Sequence, residues 1–182
     1  MENNSSISPE ALALTALAVE YCKAVENAGN TEPHDFLCGM LRSLPRIYIM
    51  LFDLKPYGEE TDDFESLNTD AIPPVMREEE YADAVNVMSA LFGEYDTFLD
   101  TSVEDMQYSD TPVARSLAEL LADILQVMMD FAAAMKDTDD FSQADVLAEL
   151  KYRFHSYLSE IICTALRTAN MLFQEQKLKD YE

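Results

Sequence analysis

Between Pro33 and Leu54 the chain sets Phe36, Leu37, Met40, Leu41, Leu44, Ile47, Tyr48, Leu51 and Phe52 at helical spacing, and little polar face is left. A helix apolar nearly all round must be enclosed by other helices, so this stretch predicts the centre of a bundle. Pro45 lies within it; a proline there lacks a backbone donor and crowds the preceding turn, which predicts a kink or a break. Four further stretches repeat with the same period. The first opens at Ser8-Pro9-Glu10, a capping serine followed by proline at the first helical position, and stops at Asn27-Ala28-Gly29-Asn30. The third runs from about Val75 to Tyr95. The fourth runs from Thr111-Pro112 to Lys136. The fifth begins after Asp140 or Ser142, reaches about Lys177, and carries a near-continuous seam of Leu147, Leu150, Phe154, Leu158, Ile161, Ala165, Ala169 and Leu172. At about 1.5 Å per residue that last helix would be some 50 Å long, so a bend is expected. No segment alternates with period two beyond a few residues, and no Asn-Gly or Asp-Gly hairpin signal occurs. The expected fold class is therefore all-α, a four- to five-helix bundle.

The chain of 182 residues suits one helical domain, with an ordered core over about 8–177. A chain of this size buries roughly 70% of its unfolded surface, enough for a core without metal or disulfide. A hydrophobic share of 48% excludes a disordered tail. Twelve Lys and Arg against thirty-five Asp and Glu leave a net charge of −23, which repels phosphate backbones and anionic headgroups. Direct binding to nucleic acid or membrane is excluded on that ground. The start, Met1-Glu2-Asn3-Asn4-Ser5, has no basic region followed by an apolar stretch, so no signal peptide is expected. The longest apolar run, Ile47 to Phe52, is far short of the roughly 20 residues that cross a bilayer. Cys22, Cys38 and Cys163 sit in apolar helical patterns and read as small buried hydrophobes in a reducing cytoplasm.

The charge is unevenly placed: residues 53–110 hold seventeen acids and two bases. Over 55–74 the helical period disappears. Glu59, Glu60, Asp62, Asp63, Glu65 and Asp70, with Pro56, Gly58 and Pro73-Pro74, mark a long solvated connection. Residues 96–110 read as a loop or one short helix pinned by Phe98, Leu99, Val103 and Met106.

Several chemistries can be tested against this sequence. Di-iron carboxylate bundles need Glu-x-x-His pairs, and the residues three before His34 and His155 are Thr31 and Tyr152. The run Asp137 to Ser142 lacks the glycine and the ligand at the fifth position of a calcium loop. One carboxylate pattern remains. Glu80 and Asp83, at i and i+3, match half of the Glu-x-x-Glu and Glu-x-x-Asp pair that holds magnesium (Mg) in all-helical nucleotide pyrophosphatases, where oxygen ligands surround a hard cation that bridges substrate phosphates. The other half would have to come from Glu59, Glu60, Asp62 or Asp63. On the fourth helix, Arg115, Glu119, Asp123, Gln126 and Asp130 form a polar stripe that reads as a solvent face, with Arg115 and Glu119 paired at i, i+4. If neighbours cover that face, Asp123 needs a partner, and an Asp123–His155 meeting would make a small polar pocket with Glu119 beside it.

At Ser116-Leu117-Ala118-Glu119-Leu120-Leu121-Ala122-Asp123-Ile124, at Ala165-Leu166-Arg167, and over Phe36-Leu37 to Leu51, the chain resembles an uncharacterised bacterial domain-of-unknown-function family of acidic helical proteins. The resemblance implies an all-helical fold and no assigned activity. That family carries more Trp and His near the start of the last helix than this chain does.

The expectation is a cytoplasmic helical protein–protein interaction module that meets a basic partner through the acidic 53–110 surface or an exposed bundle groove. The alternative is a metal-dependent small-molecule hydrolase with Glu80 and Asp83 on magnesium. The seam of the last helix can also serve a homodimer.

Overall fold

The protein is described by a computed structural model over residues 8–55, 70–100, 111–137 and 140–179. Most of the acidic 55–74 connection and the 101–110 segment therefore lie outside the described residues. Helix α1 (Pro9–Glu26) begins as its sequence dictates, with the Ser8 side chain accepting from the Ala11 N–H at 3.1 Å and Pro9 in the first turn. A short 3₁₀ turn, Ala28–Asn30, leads to α2 (Pro33–Asp53). Then come α3 (Glu78–Phe92), the strands β1 (Thr97–Asp100) and β2 (Val113–Ser116), and α4 (Leu117–Asp137). The last rod is α5 (Asp140–Arg153), a π turn over Phe154–Leu158, and α6 (Ser159–Lys179). Helices α1, α4, α6 and α2 pack in a closed ring, each against the next; α3 lies outside on α4 and α5 bridges α4 and α2. The fold is an all-α bundle with one small two-stranded ribbon.

Four features differ from the sequence expectation. Pro45 does not break α2, which is helical from Pro33 to Asp53. The missing N–H costs one bond, and Met40, Leu44, Ile47 and Leu51, all fully buried, hold the helix in place regardless. Second, α2 is a wall of the ring and not its centre: Ile49 and Phe52 are 58% and 59% exposed. The centre is α4, with Leu117, Leu121, Ile124, Leu125, Met128 and Phe131 buried on several sides.

Third, residues 97–100 and 113–116 form an antiparallel ribbon, Thr97 opposite Ser116 and Asp100 opposite Val113, where a loop and a helix start were expected. Asp96 explains the boundary. Its backbone carbonyl accepts from the Leu117 N–H at 2.9 Å. Its buried carboxylate accepts from the Ala118 N–H at 2.8 Å and from the Ser89 and Ser116 hydroxyls at 2.9 and 2.8 Å. That carboxylate caps α4 across the chain, which fixes the helix start four residues beyond the strand start. Gly93, at φ 59°, makes the turn that ends α3 and brings Asp96 there.

Fourth, the bend expected in the last helix takes the form of the π turn. Leu150, Phe154, Leu158 and Ile162 are all buried and stand four apart. In a regular helix each step of four drifts about 40° around the axis, so three would carry the apolar face well out of the core. A wider turn takes up the extra residue and keeps the four in line. It also makes Ile162, and not Ile161, the buried member of the seam. Helices α2 and α4 fill that seam. Of the cysteines only Cys22 is buried; Cys38 is intermediate and Cys163 exposed. Among the described residues no helix is long and apolar enough to cross a membrane.

Candidate functional site

Among the described residues four carboxylates lie inside the bundle: Asp96, Asp100, Asp130 and Glu149, each at most 6% exposed. Asp96 caps α4, as described. Asp130, on the stripe read as a solvent face, turns inward and accepts from the Val75 and Met76 N–H groups at 2.9 and 3.2 Å. Glu149 accepts from the Ile72 N–H at 2.6 Å and pairs with Arg153, whose guanidinium also donates to the Ile72 carbonyl at 2.9 Å. Together these two acids clamp the 72–76 segment onto α4 and α5. Asp100, on β1, meets Arg115 at 3.4 Å and Arg167 at 2.9 Å. Arg115 thus belongs to β2 and faces Asp100, not Glu119. Asp96 and Asp100 fall within the 53–110 stretch, so that stretch is not surface throughout.

Asp123 does find a partner, and it is Tyr81 of α3: the phenol donates to the carboxylate at 2.8 Å. Burial pushes the Asp123 carboxyl above its ordinary value, and the bond from Tyr81 holds it partly back. Burial also raises Tyr81, with the bond to Asp123 and the charges of Asp123 and Glu119 adding to it. Glu119 itself is exposed. His155 is exposed, its ring edge-on to Phe154 at 5.3 Å. From that turn it is Tyr157 that feels Asp123: burial raises its phenol, Arg153 opposes this, and Asp123, Glu149 and Asp130 add to it. The structure thus gathers Glu119 and Asp123 around Tyr81. The sequence pattern marks neither Tyr81 nor Tyr157 as a polar partner of Asp123. Tyr81 stands at helical spacing with Ala84, Val85 and Met88, so its pattern reads as core, yet a buried phenol usually needs a hydrogen-bond partner. Chemically the Tyr81–Asp123 pair is a bolt between α3 and α4.

The remaining candidates, Glu80 and Asp83, stand at the rim of a cleft of about 330 Å³ between α1, α3 and α4. Its floor is apolar, with Met76, Leu125 and Met129, and Val87 stands at its mouth. Glu26, the last residue of α1, completes the acidic rim. Glu80 is engaged already: it accepts from the Arg77 N–H at 3.0 Å and from the Arg77 guanidinium at 2.7 Å. Arg77 thereby holds the Glu80 carboxyl below its ordinary value. Glu26 and Asp83 are exposed and take part in no hydrogen bond or ion pair among the described residues. The loop acids Glu59, Glu60, Asp62 and Asp63 lie outside the described residues. Among the described residues no group of three or more His, Cys, Asp or Glu could hold a metal ion. A second concavity of about 620 Å³, with Pro9, Ile49, Met50, Leu54 and Leu147 in its wall, opens between the start of α1 and the end of α2.

Residues 5–174 match the profile of a family described as Domain of unknown function (DUF5063). The chain belongs to that family. The match runs from ahead of α1 into α6, so the ring, the clamp and the cleft are all parts of the DUF5063 domain. Among solved structures, the crystal structure of protein BF1032 from Bacteroides fragilis is similar at a TM-score of 0.71, with 19% identity over 90% of this chain and 91% of that one. At that identity the likeness shows a shared fold. No curated protein matches.

Proposed function

We propose that this DUF5063 domain is a protein–protein interaction module that recognises a basic partner through its exposed carboxylates. The observation that carries the reading is on α3. Glu78, Glu79 and Asp83 are exposed and Glu80 half-buried within two turns, while Arg77 is the one cation paired to that run among the described residues. Exposed charges of one sign attract an opposite charge over about 8 Å at physiological salt and about 30 Å at 0.01 M, so recognition should weaken as salt rises.

The test is calorimetric titration of the full chain with a short helical peptide of leucine and arginine, against its leucine–glutamate counterpart. Binding of the basic peptide alone, strongest at low salt, is the expected result. No binding at low salt would refute the reading. A thermal upshift in magnesium over salt of matched ionic strength, lost in Glu80→Gln with Asp83→Asn, would favour a metal-dependent hydrolase instead.

A further inference from the structure

The cleft between α1, α3 and α4 combines two features that no single small occupant satisfies. Its floor continues the core outward: Met76 and Leu125 are 8% and 2% exposed, yet Val87 at the mouth is 40% exposed. Its rim carries Glu26 and Asp83, which have no partner among the described residues, beside Glu80 already held by Arg77. A neutral apolar molecule would cover the floor and leave the carboxylates as they are. A bare metal ion would leave the floor wet, and among the described residues the rim does not offer three converging ligands. A long cationic side chain answers both demands, since its methylene stem lies on apolar surface while its head reaches the carboxylates.

We propose that this cleft receives an arginine of an amphipathic basic helix on a partner protein, a proposal that rests on the interaction-module reading. Arginine suits the rim better than lysine. Its guanidinium is less strongly hydrated, and its fork can face carboxylates from both helices. At about 330 Å³ the cleft is at the lower end of ligand-site volumes and holds one or two side chains, not a whole cofactor. Met76 and Met129 supply an adaptable floor, because an unbranched thioether repacks with little cost. Glu79, four residues before Asp83 on α3, extends the acidic edge, so a further basic residue of the same helix would lie over it. The apolar face of that helix would turn toward Val87.

The experiment uses the full chain with isotope-labelled methionine methyl groups, titrated at low salt with the leucine–arginine peptide. The Met76 and Met129 methyl resonances should shift saturably, while that of Met171, exposed on α6, should not. Val87→Phe alters an exposed side chain, keeps every charge and blocks the mouth; it should weaken binding about tenfold. Glu26→Gln with Asp83→Asn leaves the packing alone and should weaken it about fivefold, the range of two exposed ion pairs. If the peptide binds while both methyl signals stay still and Val87→Phe binds as the wild type does, the cleft is not the receptor site. The interaction-module reading would survive that result. If the peptide does not bind at all, both proposals fall.

Discussion

Replacing Asp130 by Ala should destabilise the protein by about 3 kcal/mol, through the loss of one buried acceptor. The carboxylate is 3% exposed, and a single oxygen accepts both the Val75 N–H at 2.9 Å and the Met76 N–H at 3.2 Å. A hydrogen bond to a charged group contributes roughly 1.5–3 kcal/mol, and two bonds on one oxygen do not sum in full. The donors are backbone groups and stay when the side chain goes, so the variant leaves them facing a largely apolar wall. Asp130→Asn keeps the volume and an acceptor oxygen but loses the charge, and should cost about 1 kcal/mol. At this chain length 1 kcal/mol corresponds to roughly 2–4 °C in Tm, which puts the Ala variant about 6–12 °C below the wild type. Urea unfolding gives the free energies, and amide hydrogen exchange localises them: Val75 and Met76 should lose protection in the Ala variant. A cost below about 1 kcal/mol, with both amides still protected, would refute the reasoning, since the 72–76 segment would then be held by something else. Met76 also forms part of the cleft floor, so the same variant should blunt the methyl shifts expected on peptide binding.

Two other substitutions and one chemical probe test the remaining parts of the structure. Tyr81→Phe should cost about 1 kcal/mol at neutral pH and move the Asp123 titration further up, because the phenol bond favours the ionised carboxylate; a carboxyl NMR titration unchanged from wild type would contradict this. Asp123 has its folded-state value above its unfolded one, so the folded state holds the proton more readily and stability falls as pH rises through that window. Asp123→Asn should remove this fall in urea melts taken from roughly pH 3 to pH 7, and an unchanged profile would count against the burial of Asp123. Burial pushes the Cys22 thiol up to about 12, with the charge of Glu26 adding to it. A thiol reagent at mildly alkaline pH should therefore modify Cys163 in the native state and Cys22 only after unfolding; equal rates would show that Cys22 is accessible.

Helix positions were legible because each helix carries enough turns for its period to show. The start of α1 was readable from Ser8-Pro9 alone, since cap and proline act within one turn. Four-residue strands were not readable. Thr97–Asp100 puts two residues on each face, too few for an alternation, and Arg115 sat at plausible helical spacing from Glu119. The π turn left a trace in the four-residue steps from Leu150 to Ile162, but that trace separates from an ordinary bend only when the drift is added up. Buried acids left none. Asp130 and Glu119 differ in burial because Val75 and Met76, more than fifty residues upstream of Asp130, bring their N–H groups to one and not the other. For the same reason Asp123 met a tyrosine from α3 and not a histidine from the last helix, because tertiary packing chose the partner.

The buried acids change what the net charge means for the surface. Removing Asp96, Asp100, Asp130 and Glu149, with Arg115, Arg153 and Arg167 that face two of them, leaves thirty-one acids and nine bases, or −22. As a set these seven groups carry −1, so the described surface keeps an acidic excess. Such a surface repels itself, so screening by salt favours the compact state. The same screening weakens attraction to a basic partner. The two effects have opposite signs, and loss of binding at high salt therefore cannot arise from loss of the fold. Rising salt should give a Tm that holds or climbs while affinity drops, and that divergence ties the charge to recognition and not to stability.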